Sequence, residues 1–280
     1  MQPLPSSDQS IKATQFKNLH EREGVFIIPN AWDAGSAKIL ESLGFESVAT
    51  TSAGLAFSLA KADAQKAVSR EECLANAHSI AQATDLPVSA DLENGYGDDP
   101  ETCAETILLA AKNGLVGCTL EDATGISDQP IYSFELAVER VKAAADTARS
   151  LPFPFMLTAR CENYLYGRPD LKDTVRRLVS FAEAGADLLY APGINTKNEI
   201  ETIVKAVAPK PVNFLLVDTV EKLSIQDLAE IGVKRISLGS SLARIAYGAF
   251  IHAVQDIQSD GKSKLLQLAI SYDDLNQLFK

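Results

Sequence analysis

Eight short runs of β-forming residues recur along the chain, and amphipathic stretches separate them. The runs are VFIIP (25–29), SVATT (47–51), PVSAD (87–91), GCTLE (117–121), FMLTA (155–159), DLLYA (187–191), VNFLLV (212–217) and RISLG (235–239). Between them, Ala34–Leu43, Arg70–Thr84, Pro100–Asn113, Phe134–Ser150, Leu171–Ala184, Asn198–Ala208 and Ile225–Ile231 carry apolar residues at helical spacing. Gly44, Gly114, Gly185 and Gly232 stand where a helix would end before the next run. Strand–helix alternation implies a parallel sheet with right-handed crossovers. Eight units predict a closed (β/α)8 TIM barrel. A doubly wound open sheet is the competing arrangement, but no run is followed at once by GxGxxG, so the dinucleotide fingerprint is missing. Residues 1–15 read as a flexible N-terminal segment, 16–258 as the barrel and 259–280 as a helical extension. Within the last two, 240–258 form the eighth helix and Lys262–Lys280 a further amphipathic helix, placed to pack on a neighbouring subunit.

Charge and cysteine usage narrow the function classes. Aspartate and glutamate total 37 against 26 lysines and arginines, a formal charge of −11, and there is no basic patch. Such a field repels phosphate backbones, so nucleic acid is not an expected partner. Cys73, Cys103, Cys118 and Cys161 form no CxxC pair. They read as reduced, buried thiols and fit a cytoplasmic protein. The start, MQPLPSSDQS, has no hydrophobic signal core, and no apolar run approaches membrane-spanning length.

Active sites of TIM barrels form at the C-terminal ends of the strands. The third run ends in SADLENGYGDD, where Asp91 and Glu93 project to one side if the strand continues. Converging acids repel unless a cation lies between them. The fourth run ends in Glu121-Asp122, one of which must face the mouth. An oxygen-rich site without a His/Cys cluster suits Mg2+ or Mn2+ better than Zn2+. The plainer alternative is a set of helix caps and surface charges. Arg160, ending the fifth run, can grip a carboxylate or phosphate with two prongs, or pair with Glu162 or a fourth-run acid. After the second run, the backbone around Ser52 and Gly54 can cradle an anion or form an ordinary turn.

Other positions stay open at this level. Trp32 lines the pocket rim or packs, and Asn30 and Asp33 share that ambiguity. Asn213 reaches the barrel centre or satisfies the core. Asp218, Ser240 and Ser241 also stand at strand ends, and Tyr164 and Tyr166 follow Arg160. His20, His78 and His252 sit on helices, with packing or surface roles expected.

Taken together, Asp91-Leu92-Glu93-Asn94-Gly95-Tyr96-Gly97, Leu120-Glu121-Asp122, Thr158-Ala159-Arg160 and Ser52-Ala53-Gly54-Leu55 resemble the isocitrate lyase/phosphoenolpyruvate mutase superfamily, over roughly residues 20–258. The resemblance implies a TIM barrel whose last helix swaps between subunits of a homodimer or homotetramer. It implies Mg2+, with Mn2+ as substitute, and an enolate-type intermediate. Asp91 matches the direct metal ligand, and Glu93 and Glu121 match acids that hold the metal through water. Asp63 falls near another such acid, one small gap away. Arg160 matches the arginine on the substrate carboxylate, and Ser52, Ala53 and Gly54 match the loop on the substrate's other end; Trp32 and Asn213 complete the expected pocket.

The expected activity is Mg2+-dependent C–C cleavage of a small 2-oxo or 2-hydroxy (di)carboxylic acid, of the oxaloacetate decarboxylase or malate lyase kind. The alternatives are phosphonate P–C chemistry and a catalytically silent metal- and carboxylate-binding barrel. Two departures stand out. The loop Ala123–Pro130 contains no cysteine, lysine or histidine, and the sixth run ends in Tyr190-Ala191-Pro192-Gly193 where relatives place a His or Glu.

Overall fold

The computed structural model describes residues 7–63, 66–216 and 222–280. Its strands are β1 (Phe26–Ile28), β2 (Asn30–Ala31), β3 (Val48–Thr50), β4 (Val88–Asp91), β5 (Gly117–Glu121), β6 (Met156–Arg160), β7 (Leu188–Tyr190), β8 (Val212–Leu215) and β9 (Arg235–Ser237). The helices are α1 (Ser7–Glu21), α2 (Ala34–Ser42), α3 (Ser52–Ser58), α4 (Arg70–Ala83), α5 (Pro100–Lys112), α6 (Phe134–Ser150), α7 (Leu171–Glu183), α8 (Lys197–Val207), α9 (Ile225–Ile231), α10 (Ser241–Asp260) and α11 (Tyr272–Leu278).

All strand pairings are parallel, in the order β1-β9-β8-β7-β6-β5-β4-β3-β2. The two ends of that order are one stretch of chain. Pro29, which lacks an N–H, breaks the first barrel strand into β1, paired with β9, and β2, paired with β3. The sheet therefore closes on itself as an eight-strand barrel, as expected. Asn30 holds the closure: its Nδ2 donates to Thr50 O at 2.7 Å, and its Oδ1 accepts from Leu238 N at 3.0 Å and Gly239 N at 2.8 Å.

Strand residues alternate between two surroundings. Leu120, Leu157, Ala159, Leu189, Phe214 and Ile236 join the apolar core beneath the helices. The intervening Ser89, Asp91, Thr119, Arg160, Tyr190, Asn213, Arg235 and Ser237 line the interior. This barrel's inside is polar. Each helix begins on a side-chain cap where one is available: Asp33, Ser69, Thr196 and Ser224 form reciprocal capping boxes. Gly232 ends α9 at φ 102°, a conformation other residues rarely adopt.

Three expectations need correction. Residues 7–15 are not a flexible segment but the first half of α1, which buries Ala13, Phe16 and Leu19. Gln9 donates to Ala111 O at 2.7 Å, and His20 packs edge-on against Phe16 and Phe26. Because Phe26 and Arg235 begin their strands, α1 plugs the N-terminal end of the barrel. At the other terminus the single helix expected over 262–280 is a 3-10 turn (Lys264–Leu268) followed by α11. The stretch after β3 is no loop: Thr51 caps α3 by accepting from Gly54 N.

Candidate active site

Asp91 ends β4 at the C-terminal mouth and is held on three sides. Its Oδ1 accepts from Thr119 Oγ1 at 3.0 Å and Arg160 Nη1 at 3.1 Å, and its Oδ2 accepts from Ser52 N at 3.2 Å. Arg160, at the end of β6, is the hub. Its Nη2 lies 3.2 Å from Glu121 and its Nε donates to Glu162 at 2.9 Å. Its guanidinium also lies over the Tyr190 ring, 5.2 Å from the centroid. Burial disfavours the arginine's charge, but Glu162, Glu121 and Asp91 outweigh it and keep the group firmly protonated.

The acids outnumber their cation. Burial pushes Glu121 and Glu162 up from the ordinary carboxylate range, against the pull of Arg160. Glu93 is pushed up to about 7 by burial, then by the charges of Asp91 and Asp63. The strand does not continue to Glu93. It stops at Asp91, and Glu93 turns away with φ 47°. That turn is clamped by Arg140 of α6, a fully buried guanidinium that donates to the carbonyls of Asn94, Gly97 (2.6 Å) and Asp98 (2.5 Å).

The site opens on a cavity of about 150 Å³, lined among others by Asp63, Asp91, Arg160, Tyr190, Asn213 and Arg235. That volume suits a small acid. Ser52 and Ala53 line it as the first turn of α3, but the Ser52 N–H is already given to Asp91. Gly54 lies behind them: a Cβ there would sit 2.6 Å from Thr51 Cγ2 and 2.9 Å from Trp32 Cβ. Trp32 thus packs on the back of α3 and does not reach the cavity wall. Glu93 and Glu121 face a small neighbouring recess with Lys66 and Tyr166. Asp122 points the other way, accepting from Arg177 Nη1 at 3.1 Å and Glu162 N at 2.8 Å. Cys161 is buried beside Asp122, away from the mouth. Asp218 lies outside the described residues.

Among the described residues no three His, Cys, Asp or Glu side chains form a closed metal cage. The donors at the mouth are nonetheless all hard oxygens, crowded enough to raise one another's affinity for protons. That set fits Mg2+ or Mn2+, which retain waters and need only one or two carboxylates plus substrate oxygens.

The phosphoenolpyruvate phosphomutase family model matches residues 16–258. The chain belongs to this family. A solved structure from Burkholderia cenocepacia, provisionally called a lyase/mutase, is 51% identical, covers 98% of this chain and 97% of its own, and superposes with a TM-score of 0.94. An uncharacterized protein of Mycobacterium tuberculosis is 31% identical over 261 residues, 93% of this chain and 94% of that one. The probable 2-methylisocitrate lyase 2 of Corynebacterium glutamicum is 28% identical over 241 residues, 84% of this chain and 76% of that one. The isocitrate lyase/phosphoenolpyruvate mutase superfamily, to which the family belongs, is one of lyases and mutases that also includes 2,3-dimethylmalate lyase and oxaloacetate acetylhydrolase.

In this family member the loop after β5 closes on itself. Ala123 bridges Ile131, and Thr124 Oγ1 donates to Gln129 O at 2.5 Å while accepting from Ile126 N at 2.9 Å. Its hydroxyl is thereby committed to the loop. Sequence reasoning underrated Glu162 and Tyr190, and missed Thr119 and Arg235. A charged residue opening an apolar strand run, two positions before Ser237, was the available signal for Arg235.

Proposed function

We propose that the chain is a divalent-metal-dependent lyase that cleaves a C–C bond of a small 2-oxo or 2-hydroxy dicarboxylic acid. The observation that carries this reading is the gathering of Asp91, Glu121 and Glu162 around Arg160 at the mouth of a small polar cavity. Asp91 would hold the metal directly, with Glu93 and Glu121 behind it. When bound there, Mg2+ supplies Lewis-acid polarisation of the substrate's carbonyl or hydroxyl oxygen. The chain's residues do the rest. Thr119 and the Ser52 N–H orient Asp91. Arg160 spreads its charge over the mouth acids and keeps one further N–H on each of Nη1 and Nη2 for the substrate carboxylate. Ile28, Leu215 and Pro192 in the wall limit water.

Decarboxylation is the reaction this site supports best. The bond between the leaving carboxylate and the adjacent carbon breaks, CO2 departs, and the electron pair moves onto the neighbouring carbonyl oxygen. No proton need be removed for that cleavage, so the acid–base-poor loop 123–130 is no obstacle to it, and the enolate left behind takes a proton from solvent to give the 2-oxo acid product.

The purified chain is expected to consume oxaloacetate in the presence of Mg2+ and to stop on chelation. Asp91→Ala should lower kcat/KM by about 100- to 1,000-fold, in the range for loss of a preorganised group at the reacting centre, with the fold kept because Arg160 retains Glu121 and Glu162. Wild-type turnover in that variant would refute the site. Phosphate release from phosphonopyruvate, without turnover of any 2-oxo diacid, would move the reaction to P–C chemistry.

A further inference from the structure

Arg235 is only 3% exposed, yet none of its partners is an anion. Its Nε donates to Asn213 Oδ1 at 2.8 Å and its Nη2 to Thr158 Oγ1 at 3.0 Å, while its Nη1 lies 3.4 Å from His20 Nε2. His20 supplies no counter-charge, since an imidazole is neutral or cationic; burial and then Arg235 itself push its pKa down to about 3 and keep it neutral. Among the described residues no carboxylate pairs with Arg235. Burial draws its guanidinium down to about 9, still charged at neutral pH. An uncompensated cation in a barrel interior is costly, and structures retain one where an anion completes it. Arg235 has five N–H donors, and the three contacts above leave two without a protein acceptor.

Its position says which anion. Arg235 lines the same cavity as Arg160 but at a deeper level. Thr158, which accepts from Arg235, stands two residues before Arg160 on β6, about 7 Å lower at ~3.3 Å per residue. That depth is comparable with the length of a four-carbon diacid. The mouth is rich in carboxylates and calls for a cation. The floor holds a lone guanidinium, with Asn213 Nδ2 donating to Ser237 Oγ at 3.0 Å beside it.

We infer that Arg235, framed by Asn213 and Ser237, receives the distal carboxylate of a dianionic substrate whose other end lies at the mouth. This deepens the proposed lyase reading and rests on it. The site then selects dicarboxylates over their monoanionic analogues through a residue at the floor, independently of the loop after β5.

The full chain is titrated with oxalate, succinate and succinamate at saturating Mg2+. Oxalate reaches only the mouth, and succinamate replaces the distal carboxylate by a neutral amide. Wild type should bind succinate about 10- to 100-fold more tightly than succinamate, as for a hydrogen-bonded charge. Arg235→Met should abolish that preference and leave oxalate affinity within about threefold. Asn213→Asp places a resident carboxylate beside Arg235; it should raise the melting temperature and also abolish the preference. Equal binding of succinate and succinamate by wild type would overturn the inference, as would a preference that survives in both variants. Failure of oxalate to bind wild type with Mg2+ would instead defeat the lyase reading itself.

Discussion

Glu93 shows how much of this site is settled by single residues under mutual pressure. Burial, Asp91 and Asp63 together raise its carboxyl from 4.5 to about 7, and its backbone occupies the left-handed region. Between those pH values the folded chain keeps a proton that the unfolded chain has lost. Stability from this group is therefore complete below about 4.5 and declines as pH rises toward 7. In chelator, Glu93→Gln should stabilise the protein by about 1–3 kcal/mol near pH 8 and by little near pH 4.5. Melting curves at the two pH values check this, and a constant difference would mean that neither burial nor the charges of Asp91 and Asp63 raise this carboxyl. Asp91, Glu121 and Arg160 were legible in the sequence because each ends a recognisable strand. Which of them pair was not, since ion pairing is decided by side-chain directions across strands far apart in the chain. Arg160 illustrates the point: both readings of it, substrate anchor and partner of Glu162, rest on the same residue.

At the scale of elements, closure depends on Asn30, one side chain that bonds the second strand and the turn after the last. Asn30→Ala leaves a carbonyl and two backbone N–H groups without that partner and should cost about 2–4 kcal/mol. Urea unfolding measures the loss; a change below about 0.5 kcal/mol would mean that water or neighbouring groups replace the latch. The eight strand runs were readable because β-branched and apolar residues cluster between turn signals, and their observed bounds differ from the runs by only a few residues. Two helices escaped that reading for physical reasons. The face of α1 buries few apolar residues in an otherwise polar sequence, so its periodicity is faint. The seven residues of α3 are too few to show a period, and the helix depends on its Thr51 cap and on the close seat of Gly54 against Trp32.

For the whole molecule, the telling surface is α10, the last helix of the barrel. α10 buries only Ala243 and exposes Ile245 and Phe250 at 67% and 66%, with Ile251 beside them. Leu268 and Tyr272, in the segment that follows, are also exposed, and apolar area of that kind is what an association surface presents. The superfamily resemblance predicts that this helix swaps between subunits. Light scattering should return a mass two or four times 30.1 kDa, and Phe250→Glu should shift it toward the monomer. A monomeric wild type would remove helix exchange from the account. The order of strands and helices, and with it the barrel, is determined by the sequence alone, because local periodicity and parallel connectivity leave few ways to bury eight apolar runs. The acids at the strand ends come with it, since strand position carries them to one rim. Only the tertiary structure decided that α1 plugs the floor, that one arginine gathers the mouth acids, and that a second arginine below it meets neutral partners. Those facts depend on contacts between residues up to 215 positions apart, as between His20 and Arg235, which no local pattern encodes.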